Sequence, residues 1–190
     1  MMLLLNFTRA VVISMIFFVL LGLGYPAVQV VIDHALFSHQ ADGSVTANGS
    51  TLVGQPWDGP QWFHGRPDSY DTAATGGSNL GPRSQKLVDT YRERIAAYQR
   101  TGITPTPDLI AASGSGLDPQ ISPQAAYAQV DAIAEARHLD ASSVRELVST
   151  HVRGPQFGFL GAAQVNVLER NEALSGLDSK QPKDEDSARR

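Results

Sequence analysis

The sequence predicts an α/β domain carried behind one N-terminal membrane-spanning helix. Three observations predict it: an uncharged apolar run near the start, three helix-capping patterns further on, and short apolar segments at Thr51–Val53 and Gln164–Leu168 that read as strands. The apolar run is Ala10–Ile32, 23 positions without a charge. As a helix it spans roughly 34 Å, against a hydrocarbon core of about 30 Å. A cleaved signal would have an apolar core of about 7–15 residues and a small-x-small site after it. This run is longer, and no such site precedes Asp33. A retained span is therefore expected. Arg9 abuts it, and no Lys or Arg follows until Arg66. By the asymmetry of basic flanks, residues 1–9 should be cytoplasmic and everything beyond Ile32 extracytoplasmic.

Beyond the span lie 14 Lys and Arg against 19 Asp and Glu, with no cysteine. A mildly acidic domain without a basic stripe is a poor nucleic-acid binder, and no disulfide or thiolate metal site is possible. Residues 33–55 are rich in Gly, Ser, Asn and Thr and read as a linker, with one short strand at Thr51–Val53. Residues 56–177 should form the domain and 178–190 a disordered, charged tail.

Within the domain, the stretch from Trp57 to Pro82 is too rich in Gly and Pro for a helix, yet it carries Trp57, Trp62, Phe63 and Tyr70. Such aromatics belong on a surface they can cover, so an ordered, packed loop is expected. Ser84 should cap a helix to about Arg100, with Leu87, Tyr91, Ile95 and Tyr98 as its buried face. Ser122-Pro123 should start a second helix with Ala126, Val130, Ile133 and Ala134 inward. Asp140 should cap a third, burying Val144, Leu147 and Val148 and ending at His151. Gln164–Leu168 reads as a buried strand, and Glu169–Leu174 as a helical turn.

Catalytic motifs are missed one by one. Gly76-Gly77-Ser78-Asn79-Leu80-Gly81 has the glycine spacing of a P-loop, but Pro82 stands where the phosphate-binding Lys must be. The same stretch misses the nucleophile elbow G-x-S-x-G by one position, and Gly114-Ser115-Gly116 lacks the third glycine of a dinucleotide fingerprint. A hydrolase would have to assemble from Ser113 or Ser115, Asp118 and His64 or His151 across the fold. No histidine pair has ligand spacing, so no metal site is expected. What remains is interaction. Gly22 and Gly24 allow another backbone to approach the span, and Pro26 should kink it at the Gly22 carbonyl.

Ordered stretches across the chain resemble the C-subunit (KdpC) family of the bacterial Kdp potassium-transporting P-type ATPase. They are Phe63-His64-Gly65-Arg66-Pro67, Ala74 to Gly81 with Gly76, Gly77, Ser78 and Asn79, and Asp108 to Pro123 with Ser113, Gly116, Leu117 and Asp118. Ala125-Ala126-Tyr127, Gln129-Val130, Ala136-Arg137 and Val165-Asn166-Val167-Leu168-Glu169 with Asn171 continue the series. The resemblance covers about Ala10 to Leu177 and implies a non-catalytic subunit with one membrane helix and an extracytoplasmic α/β domain. It implies three partners: a channel-like potassium-translocating subunit (KdpA), a P-type ATP-hydrolysing subunit (KdpB) and a small membrane peptide (KdpF). The transported ion would be potassium, and ATP would act through the complex, its affinity for the hydrolysing subunit raised by this one as a catalytic chaperone. The family is also described as touching nucleotide through a glutamine in the helix that corresponds to Asp140–His151. Here Ser143 or a neighbour occupies that position, and the helix holds no Gln. The alternatives from other classes are a direct nucleotide-binding module and an anchored extracytoplasmic hydrolase.

Overall fold

A computed structural model describes residues 2–178, which form two compact units dividing between Val45 and Thr46. The first unit is dominated by one apolar helix. It comprises α1 (Met2–Val19), a π-helical turn at Leu20–Gly24 and α2 (Tyr25–Leu36), followed by the single turn α3 (Ser38–Ala41). The helix is long and apolar enough to cross a membrane, and none of its residues is buried. It extends beyond the expected Ala10–Ile32 at both ends, because nothing between Met2 and Leu36 breaks a helix except Pro26. At Pro26 the chain responds as the ring clash requires. The preceding turn widens, and Tyr25 N–H bonds to Leu20 O, five residues back. A π-turn thus stands where the kink is expected, with Gly22 and Gly24 inside it.

At the division the chain forms the short strands β1 (Val45–Thr46) and β2 (Gly49–Ser50), so the strand expected at Thr51–Val53 lies earlier and those residues form a turn. From there to Ser84 the chain makes no helix or strand. Its aromatics are nonetheless packed: Phe63 is fully buried, and Trp57 and Trp62 lie against the core with ring centroids 5.0 Å apart. α4 (Gln85–Arg100) starts at Ser84, whose backbone is extended but whose side chain makes no capping bond. The expected buried face of α4 is only half-buried at Leu87, Tyr91, Ile95 and Tyr98, because the helix lies along the domain surface.

After the turn α5 (Pro107–Ile110) and strand β3 (Gln120–Ile121), Ser122 caps α6 (Pro123–Ala128), its Oγ accepting from Ala125 N. The single helix expected here is two, because Gln129 interrupts it before α7 (Val130–Arg137). Asp140 caps α8 (Ala141–Thr150) by accepting from Ser142 N, which holds its carboxyl below the ordinary range. Strand β4 is only Val165–Asn166, antiparallel to β3 in the register Gln120↔Asn166 and Ile121↔Val165. The expected strand Gln164–Leu168 is cut short by Asn166, which caps a full helix α9 (Val167–Asp178) with Oδ1 accepting from Glu169 N. α9 reaches Asp178, the first residue of the expected disordered tail; residues 179–190 lie outside the described residues.

The fold is therefore a mixed helix and small-sheet domain in which helices and ordered loops outweigh the strands of an α/β class. Its core runs from Phe63 and Leu109 through Ala126, Val130 and Ile133 to Val144, Val148, Val165 and Leu174. Each fully buried large side chain there contributes roughly 1.5–3 kcal/mol. α7 packs on α8 and α8 on α9, so these helices form the platform on which the loops lie.

Candidate functional site

Two buried side-chain amides hold the Phe63-His64 segment as neighbouring strands would. Asn171 of α9 accepts from Phe63 N (2.9 Å) and donates to Phe63 O (3.0 Å). Gln129 accepts from His64 N (2.8 Å) and donates to His64 O (3.1 Å) and Ala125 O (3.2 Å). Both amides are completely buried, and every backbone polar group of the two loop residues is satisfied by them. Phe63 can enter the core only because Asn171 replaces the water its peptide groups would otherwise require.

The next stretch is held by a carboxylate. Asp68 accepts from Ser113 N (2.6 Å), Ser113 Oγ (2.6 Å) and Asp118 N (3.1 Å). Ser113 Oγ in turn accepts from Gly116 N (2.8 Å) and lies 3.2 Å from Ser115 Oγ. Gly76 N bonds to Ser115 O and Tyr70 N to Gly116 O, so residues 68–76 and 113–118 form one knitted bundle. Gly116 is a glycine by necessity: its φ is +74°, and a Cβ would lie 2.7 Å from Gly76 O. Gly65 makes room for a side chain, since a Cβ there would come within 2.9 Å of the Tyr70 hydroxyl. That hydroxyl donates to Arg66 O, and burial together with Asp68 pushes its pKa up. Arg66 faces Asp108 at 3.5 Å, and Asp108 also accepts from Ser122 N (2.8 Å), tying the loop to the start of α6.

The chain matches KdpC, described as the K+-transporting ATPase c chain, over residues 7–176. It belongs to the KdpC family. It is similar to the potassium-transporting ATPase KdpC subunit of Burkholderia ambifaria, 46% identical over 178 residues that cover 86% of this chain and 92% of that protein. The KdpC subunit of Paraburkholderia phytofirmans is 44% identical over 185 residues, covering 90% of this chain and 96% of that one. The match places this chain among the subunits of a potassium uptake ATPase.

The structure distributes the remaining residues of the stretches that carry the resemblance around the loop bundle. Gly76 and Gly77 lie against residues 113–116, while Ser78 and Asn79 are exposed, Asn79 with a left-handed φ of 53°. Pro67 O accepts from Arg94 (3.3 Å), Leu117 O accepts from Gly54 N (2.8 Å), and Pro123 opens α6. Asn166 donates to Thr51 O (2.7 Å), and Glu169 pairs with Arg153 at 2.6 Å. His64 lines a separate cavity of about 630 Å³ with Trp62, Tyr98, Ile103 and Ile133. Burial lowers its pKa, opposed by the Gly59 and Trp57 carbonyls beside the ring.

The candidate hydrolase set is not assembled. Ser113 and Ser115 come together, but the carboxylate at Ser113 is Asp68, whereas the Asp118 side chain accepts from Gln120 N in its own loop. His64 faces Gly59 and Trp57, and the His151 ring lies by Thr150 Oγ1 and Leu147 O at the end of α8. Among the described residues no group of three or more His, Asp or Glu is placed to hold a metal ion.

Sequence reasoning names Gln129 only within the resemblance, without a role, and does not single out Arg170. Gln129 lies three positions after Ala126 and four before Ile133, so helical spacing already puts it on the buried face. Arg170 is fully buried, donates to Leu147 O at 2.7 Å, and has a pKa lowered by desolvation to about 10.

Proposed function

We propose that this chain is an accessory, non-catalytic subunit that assembles and stabilises the Kdp potassium-uptake complex and acts on ATP hydrolysis only through its partners. The observation that carries this reading is the contrast between the two units. Asp68, Ser113, Gln129 and Asn171 spend their polar groups on the loops of their own domain, while no residue of the helix at Met2–Leu36 is buried.

In this reading residues 10–32 cross the bilayer with residues 1–9 in the cytoplasm, and residues 56–177 form an extracytoplasmic domain. Gly22, Gly24 and Pro26 shape the helix face that meets the channel-like subunit (KdpA) or the small peptide (KdpF). The domain lies with the channel-like subunit on the outer side and modulates potassium access. The ATP-hydrolysing subunit (KdpB) then feels this chain at a distance. A subunit that binds one conformation of the complex more tightly than another raises ATP affinity by linkage, with no nucleotide contact of its own.

Co-purification tests the assembly claim. Full-length chain should be recovered with the other subunits, whereas chain lacking residues 1–36 should be lost from the complex. Equal recovery of the shortened chain would refute a role for the helix beyond anchoring. Because the sequence has no cysteine, a single Gln99→Cys gives a clean topology probe. Labelling of intact cells by a membrane-impermeant maleimide is expected, and labelling only after lysis would reverse the orientation.

A further inference from the structure

Between α8 and β4 the chain projects a short hairpin whose tip is apolar. Arg153 and Gln164 exchange two backbone hydrogen bonds, 2.9 Å each, and Gln156 and Leu160 exchange two more at 2.8 and 2.9 Å. Above this ladder stand Phe157, 78% exposed, Phe159, 76% exposed, and Leu160, 50% exposed. Phe157 also has a left-handed φ of 54°, a conformation that a bulky side chain rarely adopts. The chain thus carries backbone strain and exposed aromatic surface at one place, and neither is compensated within its own core.

We propose that this hairpin tip inserts into the lipid bilayer at the boundary between headgroups and acyl chains, as a second membrane contact beside the N-terminal helix. Three observations favour lipid over a protein partner. From Leu147 to Leu168 the sequence contains no Asp or Glu, although the chain as a whole carries 19. An acid-free apolar tip suits an anionic leaflet, where a carboxylate would be repelled. The exposed apolar tip offers two Phe and one Leu, whereas a specific protein interface covers about 800 Å² per partner. Finally, the chain between Leu36 and Thr46 reaches no more than about 35 Å, so the domain is held close to any bilayer the helix crosses. Such a tether makes a weak insertion effectively intramolecular. Arg153 is paired with Glu169, so the contact is apolar rather than ionic and should be insensitive to salt.

The test uses full-length chain reconstituted in vesicles of phosphatidylethanolamine and phosphatidylglycerol, with an environment-sensitive fluorophore on Phe157→Cys, Phe159→Cys or, as a control, Gln99→Cys. Labels at 157 and 159 should be quenched by doxyl-labelled lipid about threefold or more beyond the control and be shielded from aqueous iodide. Adding Phe159→Asp to the chain labelled at 157 should return it to control behaviour while leaving its thermal unfolding unchanged. Equal quenching of all three labels would overturn the proposal. So would shielding that arises only when the other subunits are added, which would assign the tip to a protein partner, or shielding that scales with chain density, which would assign it to a second copy.

Discussion

Two loops of this protein are built from the same materials and end in opposite places. Residues 57–82 and 154–161 are both rich in Gly and aromatics, yet Phe63 is fully buried while Phe157 is 78% exposed. The difference lies in who satisfies the backbone. The first loop is taken up by Asn171, Gln129 and Asp68, side chains sent from distant elements, and its aromatics can then leave water. The hairpin satisfies itself across its own ladder and needs nothing from the core. An aromatic in a loop is therefore a core residue only where another element supplies hydrogen-bond partners for the peptides around it.

The comparison breaks most sharply at Asn171. Asn171→Ala orphans the buried Phe63 N–H and C=O together and should destabilise the domain by about 3 kcal/mol, measured by denaturant unfolding of the full chain. A loss below about 1 kcal/mol would mean that the loop is held by its aromatics rather than by the amides. Gly116→Ala comes next. With φ at +74° and the new Cβ 2.7 Å from Gly76 O, it should cost about 2 kcal/mol, read in the same unfolding assay.

A smaller effect appears with pH. Burial lowers the His64 pKa below its ordinary 6.5, so the unfolded chain binds a proton that the folded chain refuses. Its contribution is present above pH 6.5 and is lost as pH falls from there toward the lowered folded-state value. His64→Gln should flatten that part of the stability–pH curve; an unchanged slope would show that the ring is solvated. The smallest effect belongs to the hairpin. Phe157→Ser should shift unfolding by no more than about 0.5 kcal/mol, because the residue is 78% exposed.

The parts of the molecule that follow local rules were legible from the sequence. The Ser122 and Asp140 caps, the inward face of Ala126, Val130, Ile133 and Ala134, and the apolar N-terminal helix depend on spacing and capping within a few residues. What was not legible depends on partners far along the chain. Asn171 and Phe63 are joined across 108 positions, and Asp68 and Ser113 across 45. No periodicity encodes such pairs. β4 was overextended because Val165 and Val167 look alike to a strand pattern, whereas Asn166 caps α9 between them. The hydrolase alternative rests on residue types alone, and composition does not show that Asp68 occupies the Ser113 hydroxyl.

The central claim is that this KdpC-family chain influences ATP use through its partners and not through chemistry of its own. Equilibrium binding of labelled ATP to the isolated full-length chain, beside the ATP dependence of hydrolysis by the complex with and without it, tests that claim most directly. The account predicts no saturable binding to the chain alone and a lower KM for ATP in its presence. Saturable binding of ATP by the isolated chain would contradict it.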